Sequence, residues 1–227
     1  MYPQVVKKQI KYNTSKRTKT IKKIIIHYTG NLDKGSNPEM HYKYFNSGNK
    51  NSSADFFVDD KSIWQINDYT KYYTWAVGDG SRIPGQTIFN SNSVSVEICV
   101  NSESSLPIAI ENAIYVIQLL MKELNISAEN VCRHYDVSRK QCPKFFIDMN
   151  IKGYNDSYSY FRKRINEPLP KIKNNKTIES WKIKEYDKAF KNKIITDTAW
   201  KNKLNESCPT WAVLAMFNNL IDKNGNK

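Results

Sequence analysis

His134 and Cys142 lie close together in the segment His134-Tyr135-Asp136-Val137-Ser138-Arg139-Lys140-Gln141-Cys142-Pro143. A third candidate ligand, His27, closes the apolar run Ile24-Ile25-Ile26. Two imidazoles and a thiol, with no fourth donor in view, describe a zinc site with one position left open. An open position marks a catalytic zinc rather than a structural one. The whole chain carries only 3 histidines, so two in such settings carry weight.

The elements that must position these groups are legible in outline. Lys23 to Tyr28 reads as a short apolar strand ending in the turn Thr29-Gly30. Asn37-Pro38-Glu39 starts a helix that runs to about Ser47-Gly48, with Pro38 suited to the first turn. Phe56-Phe57-Val58 and Ser62 to Ile66 read as two strands around the turn Asp59-Asp60-Lys61. Ser93 to Val100 is a third strand, in which Val94, Val96 and Ile98 share the face opposite Glu97 and Cys99. Pro107 opens the clearest helix. Its Ile110, Ala113, Ile114, Ile117, Leu120, Met121 and Leu124 recur at helical spacing and suit packing against a sheet. Asn130 to His134 is a last short strand, followed by the Cys142 loop.

The texture changes near Asn166. Glu167-Pro168-Leu169-Pro170 and the residues to Lys176 have proline, asparagine and lysine but no periodic apolar face, as a linker does. Beyond it Trp181, Tyr186, Phe190, Ile194, Trp200 and Leu204 suggest helices, and Ser207-Cys208-Pro209-Thr210 is a helix-start signal. The expected division is 1–165 as the main domain, 166–176 as linker and 177–227 as a small helical module. Such a unit is marginal alone. The expected class is α/β: a central mixed sheet flanked by helices, one zinc site, and the C-terminal helical module.

Composition narrows the partners. The chain has 227 residues, 40% hydrophobic and 12% aromatic, enough for a packed core. A net charge of +13 favours a polyanionic partner. No zinc-finger, RNP-type or P-loop pattern accompanies the charge, so nucleic acid is not the expected ligand. Cys99, Cys132, Cys142 and Cys208 form no CxxC pair and no disulfide framework, which points to folding in a reducing compartment. Residues 1–23 hold no apolar core of signal-peptide length, and no run reaches the length of a membrane span.

The ordered motifs support a family. Ile25-Ile26-His27-Tyr28-Thr29, Ser53-Ala54-Asp55-Phe56-Phe57-Val58-Asp59-Asp60, Ile63-Trp64-Gln65, Trp75-Ala76-Val77-Gly78-Asp79, Val94 to Cys99, and the His134–Pro143 segment occur in sequence across roughly residues 20 to 150. Together they resemble the zinc-dependent N-acetylmuramoyl-L-alanine amidases of the type-two amidase and peptidoglycan-recognition fold, in particular phage endolysins and autolysins. The resemblance implies His27, His134 and Cys142 as ligands of Zn2+. It implies Glu97 as proton acceptor for the attacking water and Lys140 as stabiliser of the tetrahedral oxyanion. The implied activity is hydrolysis of the amide between N-acetylmuramic acid and L-alanine of peptidoglycan. The chain would be made in the cytoplasm and act at the cell wall after release. Anionic wall polymers are the expected partners of its charge, and the C-terminal module would bind the wall or pair two chains as a homodimer.

There are departures. Some members carry a catalytic tyrosine near the position of Ala54, which is too short for acid–base work. That shifts weight to Glu97 or to the Asp55 neighbourhood. Many relatives have a histidine where Ala76 stands. Arg139 is expected to face away from the site, and His41 to be a surface or packing residue. Asp136 suits either of two tasks, orienting a ligand or capping the loop. Two other functions compete: a recognition module of the same fold that binds without cutting, in which the cysteine ligand is typically replaced, and a basic nucleic-acid-binding regulator.

Overall fold

The computed structural model describes residues 2–78, 87–147, 157–168 and 180–196, with 198, 201 and 216. The chain divides into two compact units, Met1–Leu169 and Pro170–Lys227.

The first unit is built on a six-stranded sheet. Its strands are β1 (Val5–Lys7), β3 (Lys23–Tyr28), β4 (Phe56–Val58), β5 (Ile63–Gln65), β7 (Ser93–Ile98) and β8 (Val131–Arg133), in the order β1-β5-β4-β7-β3-β8. The four strands β4, β7, β3 and β8 run parallel, and β5 pairs antiparallel with β4. A separate ribbon joins β2 (Thr14–Lys16) to β6 (Tyr72–Thr74). The mixed sheet agrees with the sequence reading. The strands β1, β2 and β6 were not foreseen.

Alternation along the central strands sorts side chains between two faces. Ile24, Ile26, Val94, Val96, Ile98, Phe56 and Val58 enter the large core beneath α2 (Leu106–Leu124) and α4 (Ser157–Asn166). The apolar stripe of α2 closes this layer, with Ile110, Ile114 and Ile117 fully buried. Burying each such side chain contributes about 1.5–3 kcal/mol. Pro107 lies in the first turn of α2, and Asn125 ends it in the left-handed conformation. The opposite face of the sheet carries Ile25, His27, Phe57, Glu97 and Cys99. There α1 (Pro38–Asn46) packs Tyr42 and Phe45 over Phe57, Ala54 and Ile66. The Asn37 side chain caps α1 by accepting from the Met40 amide.

The last strand is shorter than expected. It ends at Arg133, and His134 opens the short helix α3 (His134–Ser138). In the second unit the described element is α5 (Ser180–Lys191), on which Tyr186 stacks with Phe190. Trp200, Leu204 and the helix expected to start near Ser207 lie outside the described residues, as does most of the expected linker. Among the described residues no helix is long and apolar enough to cross a membrane.

Candidate metal centre

The site forms where the parallel strands end, the usual place for ligands in open α/β sheets. His27 is the fifth residue of β3, and Glu97 is its register partner on β7. His134 enters from the first residue of α3. Cys142 comes from the loop that follows, whose carbonyl accepts from the Tyr135 amide at 2.9 Å.

The donor atoms converge. His134 Nδ1 is 3.0 Å from His27 Nδ1, Cys142 Sγ is 3.8 Å from His27 Nδ1, and the ligand atoms of the three residues all lie within 4.8 Å of one another. For zinc bonds of about 2.05 Å to nitrogen and about 2.3 Å to sulfur, tetrahedral edges are about 3.3 Å and about 3.6 Å. The observed separations bracket these values, so the residues fit a zinc ion. All three are buried, at 2%, 6% and 2% exposure for His27, His134 and Cys142.

Burial favours the neutral forms of these groups. Burial drives the His27 pKa well below the ordinary imidazole value, helped by His134 and Lys140, so the ring is the neutral donor a metal needs. Burial also pushes the Cys142 thiol up to about 12, with Glu97 adding to the effect and the Tyr28 main chain and Lys140 opposing it. Without a cation the sulfur keeps its proton. Binding of a metal would displace it.

Glu97 lies against this centre, with Oε1 3.9 Å from His27 Nδ1 and Oε2 buried without a partner among the described residues. Its other register neighbour is Phe57. Desolvation between these neighbours raises its pKa to about 7, and Lys140 pulls in the opposite direction. A carboxyl that titrates near neutrality can both accept and return a proton.

A cleft of about 1050 Å³ opens beside the centre, lined by His134 and Lys140 on one side and Trp75 to Gly78 on another. Two anchors hold the second wall. Trp75 Nε1 donates to Ser15 Oγ at 3.0 Å, and Asn90 Oδ1 accepts from the amides of Ala76, Val77 and Gly78 at 2.9, 2.7 and 3.1 Å. Sequence reasoning missed Asn90 and Ser15, because no local pattern marks a side chain whose partners come from another loop.

Other expectations resolve as follows. Asp136 accepts from the Arg133 amide at 2.8 Å and pairs with its guanidinium, so it caps α3. Arg133 in turn donates to the Phe146 carbonyl and lies over the Tyr158 ring, which pins the Cys142 loop to its surroundings. Asp55 is fully buried and accepts from Asn67, Thr74 and the Ser95 amide, a structural carboxylate tying three segments together. His41 stacks on Phe57 at 4.7 Å, as a packing residue does. Arg139 corrects an expectation: it lines the cleft beside Lys140 rather than facing away. The reason is local. The chain turns through a left-handed residue at Arg139, so neighbouring side chains do not alternate as they would on a strand.

A mixed sheet flanked by helices, with a His/His/Cys cluster that could hold a metal ion near the ends of its parallel strands, is the arrangement of the endolysin amidase fold. Comparison with known proteins agrees. Residues 17–145 match the family described as N-acetylmuramoyl-L-alanine amidase, and the chain belongs to it. It is 36% identical over 125 residues to the N-acetylmuramoyl-L-alanine amidase CwlH of Bacillus subtilis, covering 55% of this chain and 48% of that protein. It is 34% identical over 128 residues to the amidase XlyA of the same organism, covering 55% of this chain and 40% of the relative. The chain thus spans less than half the length of these curated relatives. The solved catalytic domain of XlyA superposes with a TM-score of 0.60 at 29% identity, covering 71% of this chain and 99% of that domain.

Proposed function

We propose that the protein is a zinc-dependent N-acetylmuramoyl-L-alanine amidase that cuts the bond between the lactyl group of N-acetylmuramic acid and the first alanine of the stem peptide, lysing bacterial cell walls. The observation that carries this reading is the convergence of His27, His134 and Cys142 beside Glu97, with His134 lining the adjacent cleft. A zinc ion held by the three donors would supply Lewis acidity, polarising a carbonyl and acidifying a water. Glu97 takes the proton of the attacking water and returns it to the departing alanine nitrogen. Lys140 lines the cleft, and its charge is suited to stabilise the oxyanion that develops on the carbonyl oxygen. Trp75 presents an anchored indole to the sugar or peptide. Retention of all three donors favours cleavage over recognition without cutting.

The test is mass spectrometry of muropeptides after digestion of purified peptidoglycan. The expected products are glycan strands stripped of peptide, and peptides with a free N-terminal alanine. Disaccharide-peptide fragments, or cuts within the stem, would sink the reading.

The segment after about residue 176 is proposed as a wall-binding or dimerising module, on the strength of its lysines and aromatic residues. Ending the chain near Asn175 should weaken pelleting with intact walls while sparing cleavage of a soluble muramoyl-peptide, or should halve the mass measured by light scattering. If it does neither and only lowers the melting temperature, the segment is packing alone. On the amidase reading the protein acts at the cell wall.

A further inference from the structure

The turn that follows β7 holds oxygen atoms that the fold leaves unsatisfied. Asn101 is 4% exposed, and its Oδ1 is buried without a partner among the described residues. Asp60 lies in the turn between β4 and β5, and its Oδ1 is buried and unpartnered in the same way. Buried polar atoms are ordinarily hydrogen-bonded, and buried charges are paired or coordinate metals.

Hydrogen bonds bring the two residues to one place. β4 and β7 are adjacent and parallel with Val58 opposite Ile98, and the Cys99 amide continues the ladder to the Val58 carbonyl at 2.8 Å. Asp60 and Asn101 follow just beyond. The Asn101 carbonyl closes a turn by accepting from the Ser104 amide at 2.9 Å. Ser104 Oγ in turn accepts from the Asp60 amide at 3.3 Å. The neighbouring acids are engaged elsewhere. Asp59 Oδ1 accepts from the Lys61 and Ser62 amides at 2.9 and 2.6 Å. Glu103 accepts from the Gly35 amide at 2.8 Å and lies 3.8 Å from Lys34 Nζ. Asp60, Asn101 and Ser104 do not line the cleft beside the metal centre.

The two unpaired oxygens cannot satisfy each other, because both are acceptors. A positive centre satisfies both at once. A carboxylate, an amide carbonyl and a hydroxyl are the oxygen ligands of a hard cation. Calcium takes irregular oxygen sets and completes its shell with water. Magnesium demands near-ideal octahedral geometry and dehydrates reluctantly. The nitrogen and sulfur donors around His27 suit a different kind of metal.

We propose that Asp60, Asn101 and Ser104 form a calcium site separate from the centre of His27, His134 and Cys142. With a single carboxylate its affinity falls in the weak range of extracellular modules, with Kd about 10⁻⁴–10⁻³ M. The ion ties the turn between β4 and β5 to the turn between β7 and α2. Glu97 lies on β7 and α2 starts at Leu106, so the bound cation braces the end of the strand that presents the carboxyl. Its role is to hold this corner of the fold, not to take part in the chemistry.

The experiment uses the full chain as purified, dialysed into calcium-free buffer and titrated with calcium chloride. The amide resonances of Ser102 to Ser105 should shift saturably in NMR spectra. The melting temperature should rise by about 2–4 °C at calcium ten times above Kd. Sodium chloride at equal ionic strength should give no such rise, and magnesium a smaller one. Asp60→Asn keeps the shape of the side chain and should abolish the response. Asn101→Asp adds a second carboxylate. It should melt lower than wild type without calcium and bind the ion roughly tenfold tighter, since affinity follows ligand charge. The wild-type and Asn101→Asp titrations decide the matter even if Asp60→Asn does not fold. Three results overturn the proposal. One is a wild type that responds to calcium no more than to sodium. Another is an unchanged response in Asp60→Asn. The third is an Asn101 side-chain NH2 that exchanges slowly in calcium-free protein, as it would if the amide were turned over to donate to Asp60. Peptidoglycan digestion is not among the readouts, so the outcome is independent of the amidase reading.

Discussion

His27 and Glu97 are register partners on adjacent parallel strands, and their side chains meet with Nδ1 3.9 Å from Oε1 on one face of the sheet. Phe57 is the next residue in the same row, on β4. The carboxyl is therefore held between a metal-site imidazole and an aromatic ring, and both its position and its raised pKa follow from that pairing. Glu97→Gln keeps the shape of the row and removes the proton acceptor. It should retain zinc and the wild-type melting temperature while kcat falls by ~10²–10⁴-fold. Turnover within a few-fold of wild type would remove Glu97 from the mechanism.

The metal prediction concerns stoichiometry. One zinc per chain is expected by elemental analysis of the purified protein. Cys142→Ser and His134→Ala should each lose most of that zinc, because both donors come from one short segment and the remaining pair makes a poor site. Both variants should also lose lysis. Full zinc content in His134→Ala would show that the donor set is different.

The local parts of this architecture are legible in the sequence, and the long-range parts are not. The stripe of α2 and the alternation of β7 are written in apolar spacing, and Pro38 and Asn37 mark the start of α1. The strands β1, β2 and β6 are three residues each (β1 has two valines and a lysine; β2 and β6 hold threonine, serine, lysine and tyrosine), too short to show an apolar period. Their pairing is fixed by partners distant in the chain, such as Val6 beside Trp64. The ligands were visible as residue types, but the meeting of His27 with Glu97 depends on sheet register. Arg139 lines the cleft with its neighbour Lys140 because the chain turns there through a left-handed residue, which residue type and spacing do not reveal.

Asp55 is fully buried, and both of its oxygens are taken up by donors from other segments. Its oxygens accept from Asn67 Nδ2 at 2.7 Å, Thr74 Oγ1 at 3.0 Å and the Ser95 amide at 2.8 Å. Asp55→Ala would strand three buried donors. Each unsatisfied group costs about 1–3 kcal/mol, so a loss of about 3 kcal/mol or more is expected in chemical denaturation. The zinc content of whatever fraction stays folded should be unchanged. Full stability with abolished turnover would instead make Asp55 part of the chemistry.

His41 supplies a pH dependence separate from the metal centre. It stacks on Phe57 at 4.7 Å and on Phe45 at 6.5 Å, and its Nε2 is buried without a partner among the described residues. Burial lowers its pKa to about 4, opposed by a hydrogen bond to the Ser36 main chain. The unfolded chain takes up a proton below about pH 6.5, and the folded chain does so only below about 4. The contribution of neutral His41 to stability is therefore complete above the unfolded value and is lost as pH falls between the two. His41→Phe keeps a ring against Phe57 and cannot titrate. Between pH 7 and pH 5 the wild type should lose about 1–2 kcal/mol more than this variant in urea unfolding. Parallel losses in the two proteins would assign the acid sensitivity to other groups, with the buried His27 and His134 next to be tested.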